Sequence, residues 1–198
     1  MPFGELDDIV GHMNVLHAPT YQWTVEEYEQ LGRAGIFDEN DRVELLNGEI
    51  ILMSPIGYRH ATAVRLLNNF FARQSRGRFE VDPQNPFNLD DSSQPQPDLT
   101  LVDPSVSSQR RHPEPADLFL IIEVSDSTVR YDREDKLPAY ARNGVREYWL
   151  LNLDAGALEV FRDPAEGTYR AARVLGPEEM IAPLAFPDLE LRVGDFLP

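Results

Sequence analysis

Residues 118–124 read LFLIIEV, a nearly continuous apolar run with one carboxylate close to its end. Such a run is typical of a strand that is buried on both faces, in the middle of a sheet covered by helices. The stretch DREDKLPAYARNG (132–144) follows and predicts a helix that ends at Asn143-Gly144. A second strand, REYWLLNL (146–153), comes next. The order strand, helix, strand predicts a mixed α/β fold around a central sheet.

Two local signals mark the elements before this core. Thr24, with Glu27 three residues later, forms a capping box that opens a helix through about Ala34. Asn47-Gly48 separates two apolar-rich runs, and both central residues of a type I′ turn need a positive φ. This pair therefore predicts a β-hairpin.

The middle of the chain mixes apolar periodicity with proline-rich loops. Residues 59–75 predict a helix, a short strand is expected around Phe87, and a further strand is expected at Leu99–Val102. The segment 103–116 is expected to be a loop. The apolar face of the helix is predicted to carry Ala63, Leu66, Leu67, Phe70 and Phe71. After the strand at 146–153, short strands and turns alternate to the end.

Length and composition limit the class of protein. The 198 residues, 42% of them hydrophobic and 26% charged, suit one globular domain. We expect a loosely ordered arm over residues 1–20 and a single domain over 21–198. The absence of cysteine excludes disulfides and thiol catalysis and is typical of a reducing compartment. Since no signal peptide and no membrane-length apolar run is found, we expect a cytoplasmic protein without a membrane partner.

The charge is unevenly distributed. The net charge is −16, so the average surface should repel nucleic acid. The segment Gly57–Phe79 nevertheless contains basic residues and no acid. These are Arg59, Arg65, Arg73, Arg76 and Arg78. Two interpretations remain open: a surface that faces an anion such as DNA, or a solvated helix face whose arginines pair with acids of the fold or of a second subunit.

Chemistry-bearing motifs are few. No phosphate-binding glycine loop, no nucleophile elbow and no HExxH spacing occurs. Asp98 stands at the start of one predicted strand and Glu123 near the end of another. If these strands are adjacent, the two carboxylates form a hard-oxygen site that suits Mg²⁺ or Mn²⁺. The alternative is that both acids are caps or salt-bridge partners.

Lys136 is the only lysine, whereas the other basic side chains are all arginine. It follows Glu123 by thirteen residues and lies early in the predicted helix. If this helix packs back across the sheet, the Lys136 amine can reach the C-terminal end of the Glu123 strand. Helical spacing places Asp132 and Tyr140 on the same face. The alternative is a surface ion pair between Asp132 and Lys136.

Three segments carry a resemblance to a known group of proteins. They are PD (97–98), LIIEVSDST (120–128) and DREDKLPAYARNGVREYWLLNL (132–153). Together they resemble the PD-(D/E)XK nuclease superfamily and, more closely, the Uma-type bacterial family of restriction-endonuclease-like proteins. The segment VELLNGEIILMSP (43–55), followed by His60, is also similar to the opening of that family. The resemblance covers about residues 20–165.

The resemblance implies a restriction-endonuclease-like fold, with a mixed sheet flanked by helices and the site at one edge of the sheet. It implies that Asp98 and Glu123 bind Mg²⁺ or Mn²⁺, with the backbone carbonyl of Val124 as a further ligand. It also implies a lysine that positions or activates the attacking water. Ser125 stands where the motif has its lysine, so Lys136 matches members whose lysine has moved to the next helix.

The same resemblance extends to residues around these three. Glu44 matches a further acid that superfamily members place near the metal, and His60 matches a family position whose role is not specified. Asp132 and Tyr140 are expected to support Lys136, on helical spacing alone.

The function expected from this combination is Mg²⁺-dependent hydrolysis of DNA phosphodiester bonds by an endonuclease. Two alternatives remain; the net charge of −16 favours the first of them and permits the second. One is a catalytically inactive nuclease-fold protein with a binding or regulatory role. The other is an interaction module for a basic protein partner. A homodimer is expected, because symmetric dimers are the commonest oligomers.

Overall fold

The computed structural model describes residues 20–37 and 41–198. The predicted N-terminal arm lies, apart from Thr20, outside the described residues and stays a prediction. The helices are α1 (Val25–Arg33), α2 (Tyr58–Gln74), α3 (Val106–Gln109), α4 (Val129–Tyr131) and α5 (Leu137–Arg142). The strands are β1 (Val43–Leu46), β2 (Glu49–Leu52), β3 (Glu80–Asp82), β4 (Leu99–Val102), β5 (Leu118–Ser125), β6 (Glu147–Asn152), β7 (Ala157–Ala165), β8 (Thr168–Leu175), β9 (Met180–Ile181) and β10 (Leu191–Arg192).

A six-stranded sheet in the order β3-β4-β5-β6-β7-β8 forms the centre of the fold. β5 and β6 run parallel, and the other neighbouring pairs are antiparallel. All residues of β5 except Phe119 are buried. The predicted mixed sheet with helices on its faces is confirmed.

Two apolar clusters cover the two faces of this sheet. The first contains Leu67 and Phe71 of α2 together with Leu120, Ile122 and Val124 of β5. The second contains Ile121 of β5 with Tyr140 of α5. Side chains alternate between the faces of a strand, so Glu123 belongs on the side of α5 rather than that of α2.

The hairpin and the first helix form as local sequence predicts. Thr24 and Glu27 make the capping box at the start of α1. Asn47 and Gly48 have φ of 50° and 77° between β1 and β2. A Cβ on Gly48 would meet Oε1 of Gln22 at 2.5 Å, so both the dihedral angle and the close packing favour glycine.

Three local expectations are wrong. Phe87 is buried but lies in an irregular segment, and the strand of this region is β3. Pro83 and Pro86, just before Phe87, lack the N–H groups that a ladder needs. Leu66 is 38% exposed, since the buried face of α2 turns away from it. The proline-rich loop 103–116 contains the short helix α3.

The helical segment after β5 is not a plain α-helix. Between α4 and α5, residues Asp132–Lys136 form a π-helical turn, in which the Leu137 N–H bonds the Asp132 carbonyl. Pro138 follows directly and has no N–H for the carbonyl four residues earlier. A wider turn just before this proline changes the direction in which Lys136 projects.

No helix in residues 20–37 and 41–198 is long and apolar enough to cross a membrane.

Candidate active site

Asp98 and Glu123 lie side by side because β4 and β5 are antiparallel. Leu99 pairs with Ile122, so the residue before β4 stands next to the residue near the end of β5. Oε2 of Glu123 accepts a hydrogen bond from the Asp98 N–H (3.3 Å), and Oδ2 of Asp98 accepts one from the Val124 N–H (2.9 Å). Each carboxylate is thus held by the backbone of the other strand.

Lys136 reaches this carboxylate pair from the helical segment. Its Nζ lies 2.9 Å from Oε1 of Glu123 and 3.2 Å from Oε1 of Glu44, and Lys136 is only 3% exposed. The alternative of a surface ion pair with Asp132 is therefore wrong. The predicted neighbourhood of Lys136 and Glu123 is the one observed.

Glu44 contacts the lysine rather than the Asp98 carboxylate. It is buried on β1, where Oε2 accepts the Gln96 N–H (2.9 Å) and Oε1 accepts the Tyr131 hydroxyl (3.0 Å). The Tyr131 ring centroid lies 5.6 Å from Nζ of Lys136, within the range of a cation–π contact. Sequence analysis missed Tyr131, because a spacing of five residues matches a π-turn and not an α-helix.

Of the two residues chosen on helical spacing, Tyr140 bonds the partner of Lys136, whereas Asp132 lines the same cavity without a hydrogen bond to Lys136 in the described part of the chain. The Tyr140 hydroxyl donates to Oε1 of Glu123 at 2.9 Å. The carboxylate of Asp132 is buried and accepts a hydrogen bond from the Thr128 hydroxyl at 2.8 Å. Oε1 of Glu123 therefore accepts from both Lys136 and Tyr140, and its orientation is determined by two donors.

His60 holds Asp98 from the first turn of α2. Its Nε2 lies 2.9 Å from Oδ2 of Asp98, and its Nδ1 is buried without a hydrogen-bond partner in the described part of the chain. An ionised carboxylate can only accept, so this contact places a proton on Nε2. On the other oxygen, Asp98 accepts a long hydrogen bond (3.4 Å) from Nε2 of Gln84, which no sequence signal marked.

A cavity of about 340 Å³ is lined by both carboxylates and by Lys136. One wall is the continuous segment 51–57, and another includes residues 126–128. Asp98 and Glu123 are 8% and 3% exposed, so the acids line the interior of the cavity and not the outer surface.

Burial and charge set the protonation of the pair. Burial raises the pKa of Glu123, while the Lys136 ammonium opposes this shift. Burial also disfavours the charge of Lys136, but the carboxylates of Glu123, Glu44 and Asp132 outweigh it and hold the pKa of Lys136 well above its usual value. Lys136 is therefore a fixed cation at neutral pH, able to orient water and stabilise negative charge but not to act as a base.

Comparisons with known proteins identify a family for this chain. A family model described as "Uma2: Putative restriction endonuclease" matches residues 25–194. The chain belongs to the Uma2 family. A comparison with curated proteins finds no match.

One solved structure is similar to this Uma2 chain over most of its length. It is described as a "putative nuclease belonging to DUF820" from Anabaena variabilis ATCC 29413. The two chains are 16% identical with a TM-score of 0.66, over 87% of this chain and 96% of the other. At this identity the likeness establishes the fold and not the activity.

The donor atoms of this Uma2 chain suit a small divalent cation. Oδ1 of Asp98 and Oε2 of Glu123 each carry only a long hydrogen bond, of 3.4 and 3.3 Å, and so keep lone pairs for a cation. Within residues 20–37 and 41–198, no three His, Asp or Glu side chains are grouped to hold a metal. Mg²⁺ commonly takes one or two carboxylates and completes its shell with water and substrate phosphate. Two carboxylates in a cavity fit that pattern.

The arginines of the basic segment divide into two groups. Arg59 bonds Asp126, Asp154 and the Leu153 carbonyl, and Arg78 bonds Asp188. Arg59 and Arg78 therefore follow the second interpretation, in which the arginines pair with acids of the fold. The remaining three are exposed and have no ion pair or hydrogen bond in the described part of the chain. They are Arg65, Arg73 and Arg76.

Proposed function

We propose that this protein is a Mg²⁺- or Mn²⁺-dependent endonuclease that hydrolyses DNA phosphodiester bonds, with Asp98, Glu123 and Lys136 as its catalytic residues. The observation that carries the proposal is the position of Lys136. The only lysine of the chain is buried with its amine 2.9 Å from Glu123, in a cavity that also contains Asp98. Membership of a family described as "Putative restriction endonuclease" supports it.

Asp98, Glu123 and the carbonyl of Val124 would hold the cation. When bound, such a cation supplies a Lewis acid for the phosphate and lowers the pKa of a coordinated water. The hydrogen bonds from the backbone and from His60 orient the Asp98 carboxylate before any cation arrives. Such support for a metal ligand is needed for affinity as well as for geometry.

Lys136 contributes charge. Negative charge grows on the phosphate oxygens during hydrolysis, and a preorganised ammonium stabilises it most in a site that excludes bulk water. Glu44 and Tyr131 fix the lysine from one side, and Tyr140 shares its carboxylate partner Glu123. These contacts favour a catalytic amine over a merely structural one, because they orient its nitrogen at the acid pair.

DNA is the proposed substrate because the exposed arginines supply phosphate contacts that the acidic remainder of the surface does not. Counterion release from phosphates is the main source of affinity that does not depend on sequence. The homodimer expected from the sequence remains a prediction.

A cleavage assay tests the proposal. Wild-type protein should cut single-stranded, double-stranded or branched DNA in Mg²⁺ or Mn²⁺ and should lose activity in EDTA. Glu123→Gln should reduce the rate at least about a hundredfold, since it removes a charged ligand. Glu190→Gln, an exposed site outside the cavity, is the matched control and should cut like the wild type. Equal rates for wild type and Glu123→Gln on every DNA would refute the nuclease.

The net charge of −16 favours a second candidate, a nuclease-fold protein that binds without turnover. Fold alone does not separate the two, because one scaffold hosts many functions. Mn²⁺ soaking and anomalous diffraction separate them when combined with the assay. A peak at Asp98 and Glu123 without cleavage of any DNA would establish the binding protein.

A further inference from the structure

Large exposed apolar side chains concentrate at the mouth of the cavity. In the described part of the chain nine such residues are exposed, and three of them fall within the seven residues 52–58. Leu52 is 79% exposed, Ile56 43% and Tyr58 81%. Leu52 and Ile56 line the cavity, and Tyr58 follows the lining residue Gly57. These three exposed residues, of which two line the cavity and the third is next in the chain to a lining residue, are called the apolar rim.

The exposed face of α2 continues from this rim. Residues seven apart on a helix lie on nearly the same face, which places Arg65 behind Tyr58. Arg73 is rotated by about 60° from Tyr58 around the helix axis and lies on the same exposed side. Both arginines are exposed and have no partner in the described part of the chain. The exposed aromatic side chain of Tyr58, next in the chain to the cavity-lining residue Gly57, is therefore followed by two exposed arginines along one helix.

We infer that the apolar rim and the exposed face of α2 bind single-stranded DNA, with an unpaired base against Tyr58 and Leu52 and its phosphate at the acid pair. The inference rests on the proposed function and specifies its substrate as unpaired rather than duplex DNA. Positive charge along a track, combined with aromatic stacking positions, is the combination that binds single strands without sequence preference.

The size of the cavity favours this occupant over a duplex. A cavity of about 340 Å³ lies at the small end of ligand pockets and accommodates a group about as large as one nucleotide. A duplex is far wider and keeps its base faces stacked inside, so it offers the apolar rim no surface to contact. Taking a base out of a duplex costs a few kcal/mol, and an unpaired nucleotide avoids that cost.

Fluorescence anisotropy tests the inference. The probe is a labelled single-stranded DNA of about 20 nucleotides, compared with the blunt duplex of the same sequence, on the full chain in Ca²⁺, a cation that carboxylates bind, with the length of the DNA checked on a gel after each titration. The single strand should bind at least about tenfold more tightly than the duplex. Tyr58→Ala should weaken single-strand binding about tenfold, the usual size of one lost stacking contact.

Matched variants separate the rim from general surface effects. Leu52→Ala should weaken binding several-fold, whereas Leu184→Ala should not, since Leu184 is 54% exposed but lies outside the cavity lining. The double change Arg65→Ala, Arg73→Ala should lower the dependence of log Kd on log salt by about 1.4, at about 0.7 per phosphate contact.

The outcomes separate this inference from the nuclease proposal. Equal affinity for duplex and single strand, or rim variants that bind like Leu184→Ala, would overturn the inference even if the protein cuts duplex DNA. Absence of binding to either DNA would overturn it as well. Single-strand binding that depends on Tyr58, without cleavage in any metal, would uphold the rim and refute the nuclease.

Discussion

The Lys136 ammonium lies 2.9 Å from Oε1 of Glu123, and both side chains are 4% exposed. A buried ion pair stabilises little relative to an apolar pair, but removal of one partner leaves an uncompensated charge in a medium of low polarity. The pair therefore has a testable energetic signature that is independent of catalysis.

Lys136→Met should lower the free energy of unfolding by about 3–5 kcal/mol, because it leaves the carboxylates of Glu123 and Glu44 buried without their cation. The double variant Lys136→Met, Glu123→Gln should recover part of this loss, since the strongest unpaired charge is then absent. Urea denaturation at pH 7 measures both. A loss below about 1 kcal/mol for the single variant would contradict the buried ion pair.

Tyr140→Phe should cost about 1.5–3 kcal/mol of stability, since the Tyr140 hydroxyl donates to a charged group at 2.9 Å. It should also lower the cleavage rate about tenfold by freeing Glu123 to rotate. Tyr148→Phe is the matched control in the same apolar cluster, because its hydroxyl has only a 3.5 Å contact with the Asp132 carbonyl. If the two changes affect the cleavage rate equally, Tyr140 acts only through packing and does not position Glu123.

His60→Ala should weaken Mn²⁺ binding about 10- to 100-fold, as removal of a residue that orients a metal ligand usually does. Isothermal titration calorimetry with MnCl₂ on the full chain measures it. His112→Ala, at an exposed histidine outside the cavity, should bind Mn²⁺ like the wild type. If the two variants bind alike, His60 does not position Asp98.

Asp117, which lies outside the cavity, makes the stability of the fold depend on pH. Hydrogen bonds from Arg111 (2.6 and 3.1 Å) hold the pKa of Asp117 below its ordinary value of 3.8, against the effect of burial. Because the folded-state pKa is the lower one, ionised Asp117 stabilises the fold above about pH 4, and this contribution is lost as the pH falls through the folded-state pKa.

Asp117→Asn should therefore unfold about 1 kcal/mol more easily than the wild type at pH 7, and the difference should vanish in strong acid. Urea denaturation at pH 7 and near pH 2 compares the two proteins, with the range set by the lowered pKa. A difference that persists unchanged in acid would show that the ion pair does not cause it.

Local sequence patterns predicted most of the architecture. The capping box of α1, the Asn47-Gly48 turn and strand β4 depend on neighbours within a few residues, so the chain encodes them directly. The buried strand β5 was recognised because burial on both faces leaves no polar alternation.

Features that depend on distant packing were not predicted. Glu147 is fully buried and accepts hydrogen bonds from Arg162 and from the Leu184 N–H, 15 and 37 residues away, and nothing local to Glu147 indicated these two partners. The burial of Phe87 likewise depends on a distant neighbour, the ring of Tyr140. In both cases the deciding neighbours are remote in the chain.

Residue types drew attention to Asp98, Glu123 and Lys136, because a buried acid and a unique lysine are unusual, and the family resemblance then selected the three as a site. The antiparallel register of β4 and β5 then placed the two acids together across 25 residues of chain. The π-turn directed Lys136 to both Glu123 and Glu44, and packing brought Tyr131 within reach of Glu44 across 87 residues. These contacts between distant residues depend on strand register and on helix winding. Packing of the whole core determines both, and no short segment does so alone.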